Sequence, residues 1–295
     1  MADDARRIDV DLVRELIADQ FPRWAGLAVA PVPSDGWDNR SFRLGEDWVV
    51  RLPSHAAYSI QVEKEQRWLP YLASHLPLSI PEPVVLGCPG RGYPWSWSIY
   101  RWIAGDCAAP GSFSHSIEFA SDLAQFVIAL HRIDSKGGPE PGAHNFFRGG
   151  PLALYDAEAR DALSRLQGRI DSLAAGRAWD LAMASKWTRP QLWVHGDLAA
   201  GNLLVRADKL AAVIDFGNVA VGDPACDFAV AWTLLRGVAR DRFLAMLEVD
   251  GPTRARAKGW ALWKALVVAA GMSKTNAIEF DDPWRVISEV LSATP

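Results

Sequence analysis

Three polar side chains interrupt two apolar runs in the second half of the chain. Asp197 and Asn202 lie within LWVHGDLAAGNLLV, residues 192–205, and Asp215 lies within AAVIDFG, residues 211–217. An unpaired carboxylate costs several kcal/mol to bury, so these groups need partners, and a metal ion is one candidate. The fold must therefore bring the partners together.

The segment RADK between the runs LLV and LAAVI predicts a β-hairpin that turns at residues 207–210. We expect a register in which Leu203 pairs with Ile214 and Asn202 pairs with Asp215. Amide and carboxylate oxygens gathered in this way suit Mg²⁺, which takes its remaining ligands from water and phosphate. Asp197 on the preceding loop then remains available as a base.

Length and pattern predict an α+β fold in two parts. A chain of 295 residues is long for a single core. The strand-like runs RSFRL, WVVRL, PEPVVLG and SWSIYRWI lie before residue 105, with one helical segment, YSIQVEKEQRWLPYLASHL, among them. Pro70 should kink that helix or mark its boundary. We therefore expect a β-rich domain over residues 1–105 and a mainly helical domain over residues 106–295.

Composition excludes several classes of protein. The formal net charge of −4 gives no basic footprint for nucleic acid, and no apolar run approaches membrane-spanning length. The N-terminal segment lacks the apolar core of a signal peptide, which predicts a cytoplasmic location. Cys88, Cys107 and Cys226 lack the spacing of a disulfide framework or a zinc site.

The two polar-bearing runs match known motifs at the proper spacing. HGDLAAGN has the H-x-D-x-x-x-x-N layout of a kinase catalytic loop, and Asp215-Phe216-Gly217 matches the metal-binding DFG element. With AAVIDFGNVAVGDPACDFA following, the chain resembles the aminoglycoside phosphotransferase and choline kinase family of small-molecule kinases. The resemblance implies the protein-kinase-like bilobal fold, with a small antiparallel β N-terminal lobe and a larger, mainly helical C-terminal lobe.

The resemblance also implies roles for the residues of the second part. Asp197 would be the catalytic base, and Asn202 and Asp215 would hold Mg²⁺. Three further residues would brace the catalytic loop without transferring protons: His195, Asp223 and Asp227. A packed histidine without a chemical role is the favoured interpretation of His195, and Asp215 taken alone could be an ordinary turn residue.

In the first part, the resemblance assigns nucleotide binding to Gly36, Asn39, Ser41, Arg51, Glu65, Tyr100 and Trp102. Arg51 stands where kinases carry a strand lysine that holds the phosphates, and arginine keeps the charge. Its predicted ion-pair partner is Glu65, with Glu63 as the alternative. The segment Ile99–Ile103 resembles the hinge whose backbone meets the adenine of ATP, although GTP is an equal candidate.

The acceptor stays open at this level. The family phosphorylates aminoglycosides, macrolides, amino alcohols and other hydroxylated metabolites, so antibiotic resistance is one possible role. Glu279, Asp281 and Asp282 could line a site for a cationic acceptor or form a solvated loop. A protein kinase is a weaker alternative because the chain leaves no room for a long activation segment after DFG, and an inactive nucleotide-binding module conflicts with the intact motif. Either a monomer or a homodimer is compatible with the sequence.

Overall fold

The computed structural model describes residues 7–33, 38–108, 111–273 and 282–292. The chain divides into two compact units. The first comprises Met1–Ser74 and Ser79–Ala104, and the second comprises His75–Leu78 and Gly105–Pro295. The described elements form a mixed α+β fold, as the sequence predicts.

The first unit is built on a five-stranded antiparallel sheet in the order β1-β2-β3-β5-β4. Its elements, in chain order, are α1 (Val10–Gln20), β1 (Val29–Pro31), β2 (Asn39–Leu44), β3 (Trp48–Pro53), α2 (Ala56–Ala73), β4 (Pro83–Gly87) and β5 (Trp97–Arg101). The predicted hairpin and the two later strands are confirmed. Helix α2 continues past Pro70 and ends at Ala73, so the proline does not mark its boundary.

The core of the first unit lies between α1 and the sheet. The helix starts at the N-cap Asp9, whose Oδ1 accepts a hydrogen bond of 3.0 Å from the backbone of Leu12. Its apolar face packs with alternate residues of the strands, as the helical period of 3.6 and the strand period of 2 require. A glycine is needed at position 87, because an added Cβ would lie 2.1 Å from the ring of Trp97.

The second unit is mainly helical. Its elements are β6 (Asp106–Cys107), α3 (Ile117–Arg132), α4 (Asp156–Arg165), α5 (Ser172–Ala184), β7 (Leu192–Val194), β8 (Leu203–Arg206), β9 (Lys209–Val213), β10 (Ala220–Gly222), α6 (Ala225–Phe228), α7 (Val230–Thr233), α8 (Gly237–Met246), α9 (Gly251–Ala269) and α10 (Pro283–Ser292). The strands form two small sheets, β6-β8-β9 and β10-β7.

Helix α9 is the central packing element of the second unit. It contacts α4, α5, α6 and α10, and twelve of its residues are buried. Helix α3 packs against α8, β7 and β9, and the apolar stripe that the sequence predicts is buried; it consists of Phe119, Leu123, Phe126, Val127 and Leu130. These contacts hold the short strands that carry the polar motifs.

The hairpin of β8 and β9 has a different register from the predicted one. Leu203 pairs with Val213 and not with Ile214, and the register shifts between Leu204 and Val205. Its two-residue turn, Ala207 and Asp208, has both residues at positive φ (50° and 61°), the type of turn that matches strand twist. This tighter turn and the bulge move the pairing by one residue, so the prediction of Asn202 opposite Asp215 was wrong.

No described helix is long and apolar enough to cross a membrane.

Candidate active site

The loop between β7 and β8 is anchored at its start by Asp227 of α6. The two carboxylate oxygens of this fully buried residue accept hydrogen bonds of 2.7 Å each from the backbone of His195 and Gly196. Burial raises the pKa of Asp227 above its ordinary value, and the two donated hydrogen bonds act in the opposite direction. The loop is thus fixed to α6 through its own backbone.

His195 connects this loop to the end of β9. Its Nδ1 accepts from the Asp197 backbone at 3.2 Å, and its Nε2 donates to the Ile214 carbonyl at 3.0 Å. These partners assign a neutral ring with the proton on Nε2. The ring is buried and meets Phe216 edge-on, with centroids 4.6 Å apart. Both nitrogens are occupied, which favours orienting the loop over transferring protons.

Gly196 has to be glycine in this loop. Its φ is +83°, a conformation that L side chains rarely adopt, and an added Cβ would lie 2.6 Å from the carbonyl oxygen of Asn218 and 3.1 Å from Cβ of Arg148. A side chain at this position would therefore collide with Asn218 and press against Arg148.

Asp197 is held by one partner on each carboxylate oxygen. Oδ2 lies 3.5 Å from Nδ2 of Asn202, and Oδ1 lies 3.5 Å from Nζ of Lys264 on α9. Burial alone raises the Asp197 pKa, but the positive charges of Lys264 and Arg148 outweigh it and leave the pKa below its ordinary value. The carboxylate is therefore ionised at neutral pH.

The amide of Asn202 is oriented so that its oxygen could coordinate a cation. Its Nδ2 donates to the Asp197 carbonyl at 2.9 Å, which fixes the flip of the side chain. The Asn202 carbonyl accepts from the Ile214 backbone at 2.9 Å, and Asp215 follows immediately. Amide and carboxylate oxygens are ligand types that suit Mg²⁺, which takes few protein ligands. Among the described residues, no cluster of three or more His, Cys, Asp or Glu side chains could hold a metal ion.

Asp215 itself occupies a left-handed conformation, with φ 66° and ψ 66°, where the hairpin ends and a short 3₁₀ helix, Phe216–Asn218, begins. Left-handed backbone is uncommon for a residue other than glycine and is enriched for Asp. This turn directs the chain from β9 towards β10.

Asp223 joins the segment after β10 to α9. Its oxygens accept from Nε and Nη2 of Arg256, at 2.6 and 3.3 Å, and both side chains are buried. Asp223 also accepts from the Ala225 backbone at 3.0 Å at the start of α6. The paired forks of guanidinium and carboxylate fix the geometry of this connection.

A small recess, partly open to solvent, adjoins Asp197 within the second unit. The lining residues are Arg148, Gly196, Asp197, Leu198, Ala199, Cys226, Ala229, Thr233, Trp260, Ala261 and Lys264. Helix α9 thus forms one wall, and the loop between β7 and β8 forms another.

In the first unit, Arg51 forms an ion pair with Glu65, as the sequence predicts. Nη1 of Arg51 lies 3.5 Å from Oε1 of Glu65, and both side chains are largely buried. The hydroxyl of Tyr100 donates to Oε2 of the same carboxylate. Burial and the adjacent Glu65 charge raise the Tyr100 pKa, so the hydroxyl keeps its proton. The ring of Tyr100 therefore belongs to this ion-pair cluster.

Two more of the predicted nucleotide residues, Asn39 and Ser41, lie on the same sheet, and Trp102 directly follows β5. Ser41 is paired with Arg51 across β2 and β3, and Asn39 begins β2. The backbone N–H of Trp102 already donates to the Asp47 carbonyl at 2.8 Å, and the Arg43 guanidinium covers its ring at 4.0 Å. Gly36 lies outside the described residues.

The acidic run near the C-terminus is described only at its end. Glu279 and Asp281 lie outside the described residues. Oδ1 of Asp282 accepts from the Trp284 backbone at 2.9 Å, at the start of α10. The described lining of the recess does not include Asp282.

A family model described as the phosphotransferase enzyme family matches residues 29–260. The chain belongs to this family. The match spans both units and contains every motif residue from Gly36 to Asp227. The predictions of the family and of a phosphotransferase are therefore confirmed. No curated protein matches the sequence.

Solved structures of phosphotransferases share the fold over nearly the whole chain. The GDP complex of aminoglycoside 2'-phosphotransferase-IIIa is 19% identical with a TM-score of 0.71, and the match covers 97% of this chain and 99% of that one. Macrolide 2'-phosphotransferase MphH from Brachybacterium faecium is 20% identical, with a TM-score of 0.62 and coverage of 97% and 99%. The streptomycin–ATP complex of APH(2")-IIa is 19% identical, with a TM-score of 0.62 and coverage of 98% and 97%. The predicted kinase-like fold is confirmed.

Three cations of the site are not apparent from the motifs. Lys264 and Arg148 flank Asp197, and Arg256 holds Asp223. Arg256 and Lys264 lie on α9, about 60 residues after Asp197 in the sequence, and Arg148 lies about 50 residues before it. The hydrophobic periodicity of the sequence does not single out Arg148. Lys264 could have been noticed as a charged residue within an otherwise apolar helix.

Proposed function

We propose that the chain transfers the terminal phosphoryl group of ATP or GTP to a hydroxyl of a small molecule, with Asp197 as the general base. The observation that carries this proposal is the position of the Asp197 carboxylate. It lines a recess that is partly open to solvent, on a loop held by two hydrogen bonds to Asp227, with a pKa low enough to keep it ionised.

In the proposed step, the acceptor hydroxyl donates its proton to Asp197 as its oxygen forms a bond to the γ-phosphorus. The bond from that phosphorus to the β,γ-bridging oxygen breaks, and the nucleoside diphosphate leaves with the electron pair. Asn202 orients Asp197 through its Nδ2. The side-chain oxygens of Asn202 and Asp215 would hold Mg²⁺. When bound, the metal ion neutralises charge on the phosphate oxygens. His195, Asp223 and Asp227 position the loop.

We assign nucleotide binding to Arg51, fixed by Glu65 and Tyr100, and to the β2 residues Asn39 and Ser41. Arginine can hold phosphate oxygens through two parallel hydrogen bonds. Nucleotide use is supported by the fold, because related structures contain GDP, ADP or ATP. A cytoplasmic location, where nucleoside triphosphates are available, follows from this assignment.

A small hydroxylated acceptor is supported better than a protein substrate. After Asp215 the chain passes through the short helix Phe216–Asn218 and strand β10 directly into α6 at Ala225. This connection leaves no long activation segment. Aminoglycosides and macrolides are substrates named for structural relatives, and a related metabolite of this chain's own is the broader proposal.

The test is a nucleotide-consumption screen of the purified protein with ATP and with GTP. The acceptor panel contains aminoglycosides, macrolides, amino alcohols, sugars and sugar acids, and phosphorylated products are detected by mass. Each productive acceptor is compared with its deoxy analogue at the modified position. The proposal requires that the acceptor gain the mass of one phosphoryl group and that its deoxy analogue not gain it. Nucleotide binding without any product across the panel would instead favour an inactive binding module.

A further inference from the structure

The charge of the recess beside Asp197 indicates which hydroxylated compounds it can hold. Two of its lining side chains, Arg148 and Lys264, are cationic, and Asp197 is the one carboxylate among the described lining residues. The other lining residues are uncharged. A polycation would therefore meet two positive charges at the point where its hydroxyl must approach the base, which costs Coulomb energy in a partly desolvated site.

Arg148 has no carboxylate partner within the described part of the chain. Its guanidinium lies over the rings of Trp263 and Trp260, at 4.7 and 5.4 Å, and its Nε is buried without a hydrogen-bond acceptor. The tryptophan rings hold the group in place without neutralising its charge. A fixed guanidinium that lacks a direct ion pair in the described part of the chain, although its charge also acts on Asp197, is suited to an oxyanion, which Nη1 and Nη2 can bind through two parallel hydrogen bonds.

Lys264 is positioned by α9 on the same recess. Its single described ion pair is with Asp197 at 3.5 Å, longer than a good charge-assisted hydrogen bond. A ligand oxyanion in the recess that Arg148 and Lys264 both line would compensate the charge of the two cations.

We propose that the acceptor is a small hydroxylated compound that carries an oxyanion, a carboxylate or a phosphate, held by Arg148 and Lys264 while its hydroxyl faces Asp197. This inference rests on the proposed function, because it names the acceptor class of the same site. It separates this recess from one that would hold a polycationic aminoglycoside.

The test uses four six-carbon polyhydroxy compounds that differ in charge. Sorbitol is the neutral probe, gluconate the carboxylate, glucose 6-phosphate the phosphate and glucosamine the cation. Binding of each probe to the full chain is measured by calorimetry, and phosphoryl transfer from ATP and GTP is followed by mass. At least one acid should bind about 10- to 100-fold more tightly than the neutral probe, because charge-assisted hydrogen bonds are made to it. The cationic probe should bind most weakly.

Variants locate the binding. Arg148→Gln and Lys264→Gln should each weaken binding of the preferred acid about 10-fold or more and leave nucleotide affinity unchanged. The matched control is Arg254→Gln, which removes a positive charge from an exposed position of the same helix α9. Loss of nucleotide affinity in place of acid affinity would assign the two cations to the nucleotide and overturn the inference.

The outcomes for the two proposals are distinct. Transfer to sorbitol or glucosamine in preference to both acids would overturn the oxyanion inference and leave the kinase function standing. Acid binding that depends on Arg148, with no transfer to any compound of the wider screen, would support the oxyanion site and overturn the proposed catalysis. Equal binding of all four probes, or none, would overturn the inference by itself.

Discussion

At the scale of single residues, the site is organised by giving each carboxylate a different set of partners. Asp227 accepts two backbone hydrogen bonds in a dry environment, Asp223 takes a guanidinium, and Asp197 has an amide on one oxygen and an ammonium on the other. Asp227 and Asp223 are buried, and both carboxylate oxygens of each already accept a hydrogen bond from the protein. Asp197 lines the recess and is the one of the three with capacity for a ligand.

Replacement of Asp197 by Asn should test its role as base. The amide has nearly the same shape as the carboxylate but does not accept a proton, so turnover should fall about 10²- to 10⁴-fold. Nucleotide affinity should survive, because the change leaves Arg51 and Asp215 in place. The measurements are kcat on the acceptor found in the screen and nucleotide Kd by calorimetry. Near-normal turnover in this variant would transfer the base to another group.

At the scale of elements, the loop between β7 and β8 depends on connections to helices that are distant in sequence. Asp227 fixes the loop to α6, and the Asp223–Arg256 pair fixes the start of α6 to α9. Because Arg256 also donates to Ser185 and Thr253, several segments meet at one guanidinium. The site geometry therefore depends on packing of the whole second unit.

Arg256→Met should destabilise the protein strongly. It leaves the Asp223 carboxylate buried without its counter-charge, which costs about 3–5 kcal/mol. Adding Asp223→Asn to that variant should recover part of the loss, because the second change removes the uncompensated charge. The measurement is the free energy of unfolding from urea denaturation of the single and double variants.

The control for that cycle is Arg189→Gln, which breaks the exposed pair between Arg189 and Asp250. Surface pairs contribute about 0–1 kcal/mol, so its effect should be small. A loss in Arg256→Met no greater than in this control would show that the buried pair contributes little to holding α9 and α6 together.

The turn of the β8–β9 hairpin gives a second prediction for an element. Ala207 and Asp208 both have positive φ, for which Asn-Gly is the preferred sequence. The double change Ala207→Asn, Asp208→Gly should raise the free energy of unfolding by about 0.5–1 kcal/mol. Gly45→Ala is the opposite control. Because Gly45 has φ +59°, this variant should lower the free energy of unfolding by about 1 kcal/mol. A destabilised double variant would contradict the two-residue turn and the register that it sets.

At the scale of the whole molecule, the local hydrophobic pattern of the sequence predicts the helices and strands but not which residues of different elements come into contact. The hairpin of β2 and β3 and the buried stripe of α3 follow from periods of 2 and 3.6 residues. The register of β8 with β9 was missed because a bulge between Leu204 and Val205 has no sequence signature here. Arg148 and Lys264 were missed for a related reason, since only tertiary packing brings them to Asp197.

Nucleotide binding should stabilise the whole chain in a manner that depends on Mg²⁺ and on Asp215. A ligand that binds the folded state alone adds about 2.7 kcal/mol at 100 times its Kd, which raises the melting temperature by several degrees. Removing the metal with EDTA should abolish most of that increase in the wild type, because Asn202 and Asp215 alone cannot hold the charged phosphates. In Asp215→Ala the increase should be small with or without metal, since the variant lacks the carboxylate charge that would hold the metal. Asp241→Ala removes an exposed acid from α8 and should respond as the wild type does. Thermal melts with nucleotide and titrated Mg²⁺ measure all three proteins, and superimposable curves for Asp215→Ala and the wild type would place the metal site on other residues.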